Sequence, residues 1–131
     1  MRSTLVLIAL LAVGAGSVFA ASIPADQIEE QSIYAGDASN FEKPAAVNYE
    51  KVVKATPAFK ELRKKKIDKG SAKYWILMSQ ASEHAVRVIL EHAGEAGYDL
   101  VAEKSYLSGL DPKVEAEDIT DKVLKAIADG K

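Results

Sequence analysis

The sequence predicts an α+β fold: a small β body of about three strands, a short α-helical hairpin arm and a C-terminal helix. Two observations carry this prediction. Residues 72–96 show a long, continuous helical pattern of apolar side chains that is followed by glycine, and short β-prone segments lie on both sides of the helical region, at 45–49 and 98–105. A chain of 131 residues is typical of one domain.

The first twenty residues have the pattern of a secretory signal peptide. Arg2 provides the positive start, residues 5–13 form an apolar run, and Val18-Phe19-Ala20 is a small-x-small cleavage site. We therefore expect cleavage near Ala20 and a periplasmic mature protein. The apolar run is shorter than the roughly 20 residues of a membrane span. An uncleaved N-terminal anchor is the alternative interpretation.

The chain contains no cysteine. This excludes thiol catalysis, a thiolate metal site and a lipid anchor on cysteine. An exported protein without disulfides must be stabilised by packing alone or by oligomerisation.

Charge is unevenly distributed, although the formal net charge is only −2. Residues 54–73 carry eight basic and two acidic side chains, whereas the flanking segments 21–53 and 74–131 are acidic. A basic block of this kind attracts anions, and the alternative is a solvated helix face. Because aromatic residues do not alternate with the lysines, we expect no nucleic-acid binding.

Residues 21–44 are predicted as an irregular linker or extension. Pro24, Gly36 and Pro44 interrupt the segment, and its apolar residues have no sustained period. A tether or a partner-binding segment is the functional alternative. A strand at 45–49 and a short helix at 50–54 are predicted to follow.

A helical hairpin arm is predicted over residues 57–96. Thr56 is a suitable N-cap and Pro57 a suitable first helical residue for a helix at 57–67, and residues 68–71 form a turn. The second helix, 72–96, carries a heptad-type seam of Tyr74, Met78, Ala81, Ala85, Val88 and His92. At ~1.5 Å per residue this helix spans roughly 37 Å and its partner roughly 16 Å. The C-terminal half of the longer helix should therefore pack on the β body.

The C-terminal region is predicted to hold a strand at 98–105, a third short strand at 106–110 and a turn at Asp111-Pro112. Asp118 or Thr120 is expected to cap a final helix. The apolar stripe of that helix comprises Val123, Leu124 and Ile127.

Two parts of the chain resemble the Skp/OmpH family of periplasmic chaperones. Residues 97–127, in which the Asp-Leu-Val of 99–101 is followed by the Asp-Ile-Thr of 118–120, are similar to the closing strand pair and the helix start of the family. Residues 46–60 are similar to the first strand and its passage into the arm, where Val47-Asn48 leads to Thr56-Pro57 and a lysine-rich helix. The resemblance covers residues 45–131, which we therefore identify as an Skp/OmpH-like domain.

The resemblance implies a homotrimer in which a small β body joins the chains. In that family, long helical hairpins enclose a cavity for unfolded outer-membrane proteins. The predicted arm here is much shorter, so the resemblance bears on fold and compartment more directly than on enclosure of a client.

A protein that holds unfolded chains needs apolar surface for affinity and charge to steer its clients. The residues that combine these properties are expected to bind the client: Lys60, Arg63, Lys64, Lys65, Lys66, Lys69, Lys73, Tyr74, Trp75 and Met78. The alternative places the aromatic residues and Met78 in the core or in a trimer seam, with the lysines as ordinary solvated charge.

Catalytic motifs are missing from the sequence. There is no Gly-x-Ser-x-Gly, Walker, Gly-x-Gly-x-x-Gly or His-Glu-x-x-His pattern. His84 and His92 lie roughly 12 Å apart along one helix, too far to share a metal ion. We therefore expect a non-catalytic protein without cofactor or metal. Its expected partners are unfolded or outer-membrane proteins, further copies of itself and an anionic lipid surface. The alternative is a structural or adaptor envelope protein of the same fold.

Overall fold

The computed structural model describes residues 20–131, and within this range the predicted α+β class is confirmed. The strands are β1 (Ile33–Gly36), β2 (Pro44–Val47), β3 (Leu100–Glu103) and β4 (Glu117–Asp118). The helices are α1 (Tyr49–Ala55), α2 (Pro57–Lys64), α3 (Ala72–Ala96), α4 (Lys104–Gly109) and α5 (Thr120–Ala128). The predicted signal peptide lies outside the described residues except for Ala20. Between residues 20 and 131, no helix has the length and apolarity needed to cross a membrane.

The four strands form one mixed sheet in the order β1-β3-β2-β4, one strand more than the three expected. β1 runs antiparallel to β3, whereas β2 runs parallel to both β3 and β4. Val47 pairs with Glu103 and Pro44 with Leu100, so the strand before the helical hairpin and the strand after it are direct neighbours. The helices between them form the crossover that a parallel pair requires.

Each face of the sheet is covered by its own apolar cluster. Successive side chains of a strand point to opposite faces. Ala45, Val47 and Val101 therefore join the cluster under α1, α3 and α5, while Ala46 and Leu100 join the opposite cluster. The opposite cluster is completed by Ile23, Ala38, Phe41, Ala102 and Leu107.

The N-terminal segment 21–44, predicted as an irregular linker or extension, instead forms part of the folded body. It supplies β1, and its Ile23 and Phe41 are almost completely buried. Ala21 and Phe41 exchange two backbone hydrogen bonds of 2.7 and 2.9 Å. The sequence pattern did not predict this, because the apolar residues of the segment are separated by turns. They are buried singly and therefore show neither a helical nor a strand period.

The helical hairpin follows the prediction closely. The side chains of Asn48, Thr56 and Ser71 cap α1, α2 and α3, and α3 has the predicted bounds. α2 ends at Lys64 rather than at residue 67, because Lys66 adopts a left-handed φ of 49° and the Ile67 N–H donates to the Leu62 carbonyl at 3.1 Å. This closing pattern is that of a helix terminus.

The longer helix packs on the sheet as expected. Ala85, Val88, Ile89 and Ala93 of α3 are buried in the same cluster as Val47. At ~1.5 Å per residue, the eight residues of α2 span about 12 Å and the 25 residues of α3 about 37 Å, so α2 can lie beside only part of α3. The hairpin is therefore short, and most of α3 belongs to the body.

Residues 106–110, predicted as a third strand, instead belong mainly to helix α4. Leu107 is buried in the opposite cluster, and the Tyr106 hydroxyl donates to the Gln27 carbonyl at 2.6 Å. These long-range contacts override the local β propensity. The final helix begins at Thr120, and its N-cap is Ile119, which provides no side-chain cap, rather than the predicted Asp118 or Thr120. The Asp118 carboxylate instead accepts hydrogen bonds from the Thr120 N–H at 3.0 Å and hydroxyl at 2.6 Å, just before the helix. Val123 and Ile127 are buried, and Leu124 packs partly against them.

Candidate functional site

An open groove of about 550 Å³ lies between α1, the start of α2 and the N-terminal half of α3. Most of its surface is apolar. We call it the Trp75 groove, and its lining residues are Tyr49, Glu50, Val53, Lys54, Phe59, Trp75, Met78, Ser79 and Ser82. Its volume lies within the ~300–1,000 Å³ that is usual for binding sites.

One wall of the groove is a single face of α3. Trp75, Met78, Ser79 and Ser82 follow one another at helical spacing. Trp75 is 66% exposed, and its ring meets that of Tyr74 edge to face at 5.4 Å. An indole this exposed beside further apolar side chains is typical of a binding surface rather than a core.

One lining residue of the groove, Tyr49, is held in place by its neighbours. The Tyr49 hydroxyl shares a short hydrogen bond with the Ser82 hydroxyl, and its ring stacks on Tyr34 with centroids 5.7 Å apart. The Tyr34 hydroxyl donates to Glu103 Oε2 at 2.9 Å, and the same oxygen accepts the Tyr49 N–H at 3.2 Å. Burial and the hydrogen bond to Glu103 raise the pKa of Tyr34 above its ordinary 10.0, so this phenol remains a donor at neutral pH.

The opposite end of the hairpin is strongly basic. Lys65 pairs with Glu61 at 2.7 Å, and this hydrogen bond lowers the pKa of the Glu61 carboxyl. The Arg63 guanidinium lies 6.0 Å from the Phe59 ring centroid. Among residues 20–131, the remaining hairpin cations make no ion pair: Lys60, Lys64, Lys66, Lys69 and Lys73. Most of the positive charge at this end of the hairpin is therefore not neutralised by ion pairs.

The structure divides the residues that the sequence singled out. Trp75 and Met78 line the groove, and Tyr74 packs against Trp75. None of the seven predicted cations lines it. They occupy α2, the turn and the first turn of α3: Lys60, Arg63, Lys64, Lys65, Lys66, Lys69 and Lys73. The candidate site therefore consists of an apolar groove and a separate basic end.

Tyr49, Val53, Phe59 and Ser82 also line the groove, although their sequence pattern did not single them out. A signal was present in Asn48 and Thr56, which are eight residues apart and cap two consecutive helices. Only Thr56, which has an extended backbone, separates α1 from α2, so the two helices cannot continue as one straight helix. Lys54, on the rim, pairs with Glu50 at 2.5 Å.

The histidines belong to different environments. His84 Nε2 lies 2.5 Å from the backbone oxygen of Lys131, whereas His92 Nε2 is buried without a hydrogen-bond partner. In the part of the chain that the structure describes, no group of three or more His, Asp or Glu side chains could hold a metal ion.

No protein-family model, curated protein or solved structure matches this chain, so the resemblance to the Skp/OmpH family stays a prediction that rests on its motifs.

Proposed function

We propose that this protein is a periplasmic, non-catalytic chaperone of the Skp/OmpH type, which binds unfolded or outer-membrane proteins and keeps them from aggregating. The observation that supports this proposal most directly is the exposure of Trp75, 66%, at an apolar groove beside the most basic segment of the chain.

The groove and the basic end have different roles in this proposal. Apolar side chains of a client gain affinity by leaving water for the surfaces of Phe59, Trp75 and Met78. The hairpin cations act at longer range and accelerate the encounter with acidic clients. They would also attract an anionic lipid surface.

The short hairpin limits the mode of binding. At ~1.5 Å per residue, the eight residues of α2 span only about 12 Å. One chain can therefore hold a segment of a client, not enclose a folded volume. A homotrimer would present three such grooves, and simultaneous binding to one long client would raise the affinity through avidity.

Suppression of aggregation tests the proposal. An outer-membrane protein is diluted from denaturant into buffer at low salt, and light scattering is followed with a molar excess of this protein. We expect the unmodified protein to suppress scattering. Trp75→Ala should remove most of the suppression because it removes the largest apolar side chain that lines the groove.

Ile76→Ala is the matched control. Ile76 is 57% exposed on the same helix but does not line the groove. This variant should retain full suppression. Unchanged scattering in the presence of the unmodified protein would contradict the chaperone proposal and favour the structural or adaptor alternative, in which the protein has the same fold without holdase activity and its short arms brace a trimer.

A further inference from the structure

A second groove, of about 510 Å³, runs along strand β1. It is lined by Ile28, Glu30 and residues 33–39. β1 is an edge of the sheet: it pairs with β3, and no other strand of residues 20–131 lies on its outer side. Such an edge offers backbone N–H and C=O groups to an added strand.

The stacked tyrosines connect this groove to the Trp75 groove. Tyr34 lines the β1 groove, Tyr49 lines the Trp75 groove, and their ring planes are inclined by only 27° at a centroid distance of 5.7 Å. The two grooves are therefore separated by one stacked aromatic pair. The hydrogen bonds to Glu103 and Ser82 hold this pair in place.

Charge differs between the two ends of the combined surface. Glu30 and Asp37 line the β1 groove. Hydrogen bonds from the Ser39 hydroxyl and N–H lower the pKa of Asp37, so its carboxylate is charged at neutral pH. The hairpin beyond Trp75 is basic. A ligand that complements both ends has basic residues toward β1 and acidic residues toward the hairpin.

Building on the proposed function, we propose that the edge of β1 and the Trp75 groove form one binding surface for an extended segment of the client. The backbone of the segment pairs with β1 as a fifth strand. Beyond the tyrosine pair, its aromatic side chains enter the Trp75 groove. The client is thus bound as a strand along the surface of the protein.

Synthetic peptides test this inference on the intact protein. The peptide has about ten residues, with phenylalanine at alternate central positions, lysines at one end and aspartates at the other. Because Trp75 is the only tryptophan of the chain, its fluorescence reports occupancy of the groove. The peptide should change this emission, and a peptide with its charges interspersed should bind more weakly.

Backbone methylation identifies strand pairing. In an extended segment, the N–H groups of odd and even residues point to opposite sides. One set of N-methylated peptides carries the methyl groups on odd residues, and its matched control carries them on even residues. Loss of two or three hydrogen bonds should weaken one set about tenfold and leave the other nearly unchanged.

Three outcomes would overturn the inference. Equal affinities of the two methylated sets would exclude pairing with an edge. A peptide that binds without changing Trp75 emission would separate the two grooves. A change in Trp75 emission with protein concentration alone would mean that a second copy of this chain covers the surface. In each case aggregation can still be suppressed, so the proposed function is judged independently by light scattering.

Discussion

The Gln27 side chain forms two hydrogen bonds with the backbone of Asp111, 84 positions along the chain. Its Nε2 donates to the Asp111 carbonyl at 2.9 Å, and the Asp111 N–H donates to Oε1 at 3.2 Å. Next to this pair, the Tyr106 hydroxyl donates to the Gln27 carbonyl and accepts the Glu29 N–H. These bonds fasten the N-terminal segment to α4 and to the loop that follows it, where the segment covers the second face of the sheet.

We expect Phe41→Ala to lower the free energy of unfolding by about 3–4 kcal/mol. Phe41 is 1% exposed in the opposite cluster, the one that contains Ala46 and Leu100, so the substitution leaves a cavity that the neighbouring strands cannot fill. Urea denaturation followed by circular dichroism measures the change.

Gln31→Ala, an exposed position of the same segment, is the control and should change stability by less than about 0.5 kcal/mol. If both variants were equally stable, residues 21–44 would not contribute to the core.

The parts of the fold that were predictable are those determined by local chemistry. The bounds of α3 follow from its continuous apolar pattern, from the Ser71 cap and from Gly97, which adopts the left-handed φ of 79° that ends the helix. β1 and α4 were missed because Tyr34 and Leu107 are positioned by residues nearly 70 and more than 60 places away, Glu103 and Ala46 among them.

The candidate site divides in the same way. Trp75 and Met78 were predicted because they are apolar residues next to the basic segment of the chain. Their neighbours Tyr49 and Phe59 depend on how three helices pack together, which no local pattern encodes. The lysines were identified for their charge, yet none of these predicted lysines lines the groove.

We expect Gly36→Ala to destabilise the protein by more than about 1 kcal/mol. Gly36 has a φ of 95°, and a Cβ atom there would lie 2.1 Å from the Asp99 carbonyl oxygen. Strand β1 would have to move away from β3. Thermal unfolding measures the effect.

Gly94→Ala is the matched control for this substitution. Gly94 lies within α3, and apart from its chain neighbours and the nearby backbone of the helix itself, no atom lies within 4 Å of the position that its Cβ would take. This variant should be more stable than the unmodified protein by up to about 1 kcal/mol, since alanine favours the helix. Destabilisation by Gly94→Ala would mean that this face of α3 is covered by a partner.

Asp118 should make stability depend on pH in the acidic range. Partial burial opposes its ionisation, but hydrogen bonds from Thr120 and Lys104 outweigh this effect and lower the pKa from 3.8 to about 2. Because the pKa is lower in the folded state, the carboxylate stabilises the fold fully above about pH 4, and this contribution is lost as the pH falls toward 2.

Asp118→Asn should therefore reduce the free energy of unfolding by about 1 kcal/mol at pH 7, a value that allows for solvent screening of a side chain that is 42% exposed. Near pH 2 the difference from the unmodified protein should disappear. Urea denaturation at a series of pH values measures it, and a difference that stays constant with pH would contradict the electrostatic origin.

The basic end of the hairpin should determine how client binding depends on salt. Replacing Lys64, Lys66 and Lys69 with glutamate should weaken binding of an unfolded, acidic client about tenfold at low salt. Above about 0.5 M salt the loss should be small, because screening confines charge interactions to a few ångströms. Lys65 is left in place because it pairs with Glu61.

The control carries the same change in net charge at exposed positions outside the hairpin, with Lys51, Lys125 and Lys131 replaced by glutamate. Among residues 20–131, these lysines form no ion pair, and none of them lines the groove. Steering depends on where the charge lies relative to the groove, so this variant should bind almost as well as the unmodified protein at low salt. If both triple variants lost affinity to the same extent, the loss would come from the more negative net charge of the whole protein, which repels an acidic client wherever the substitutions lie. The hairpin lysines would then be ordinary solvated charge, and the apolar groove alone would remain as the binding surface.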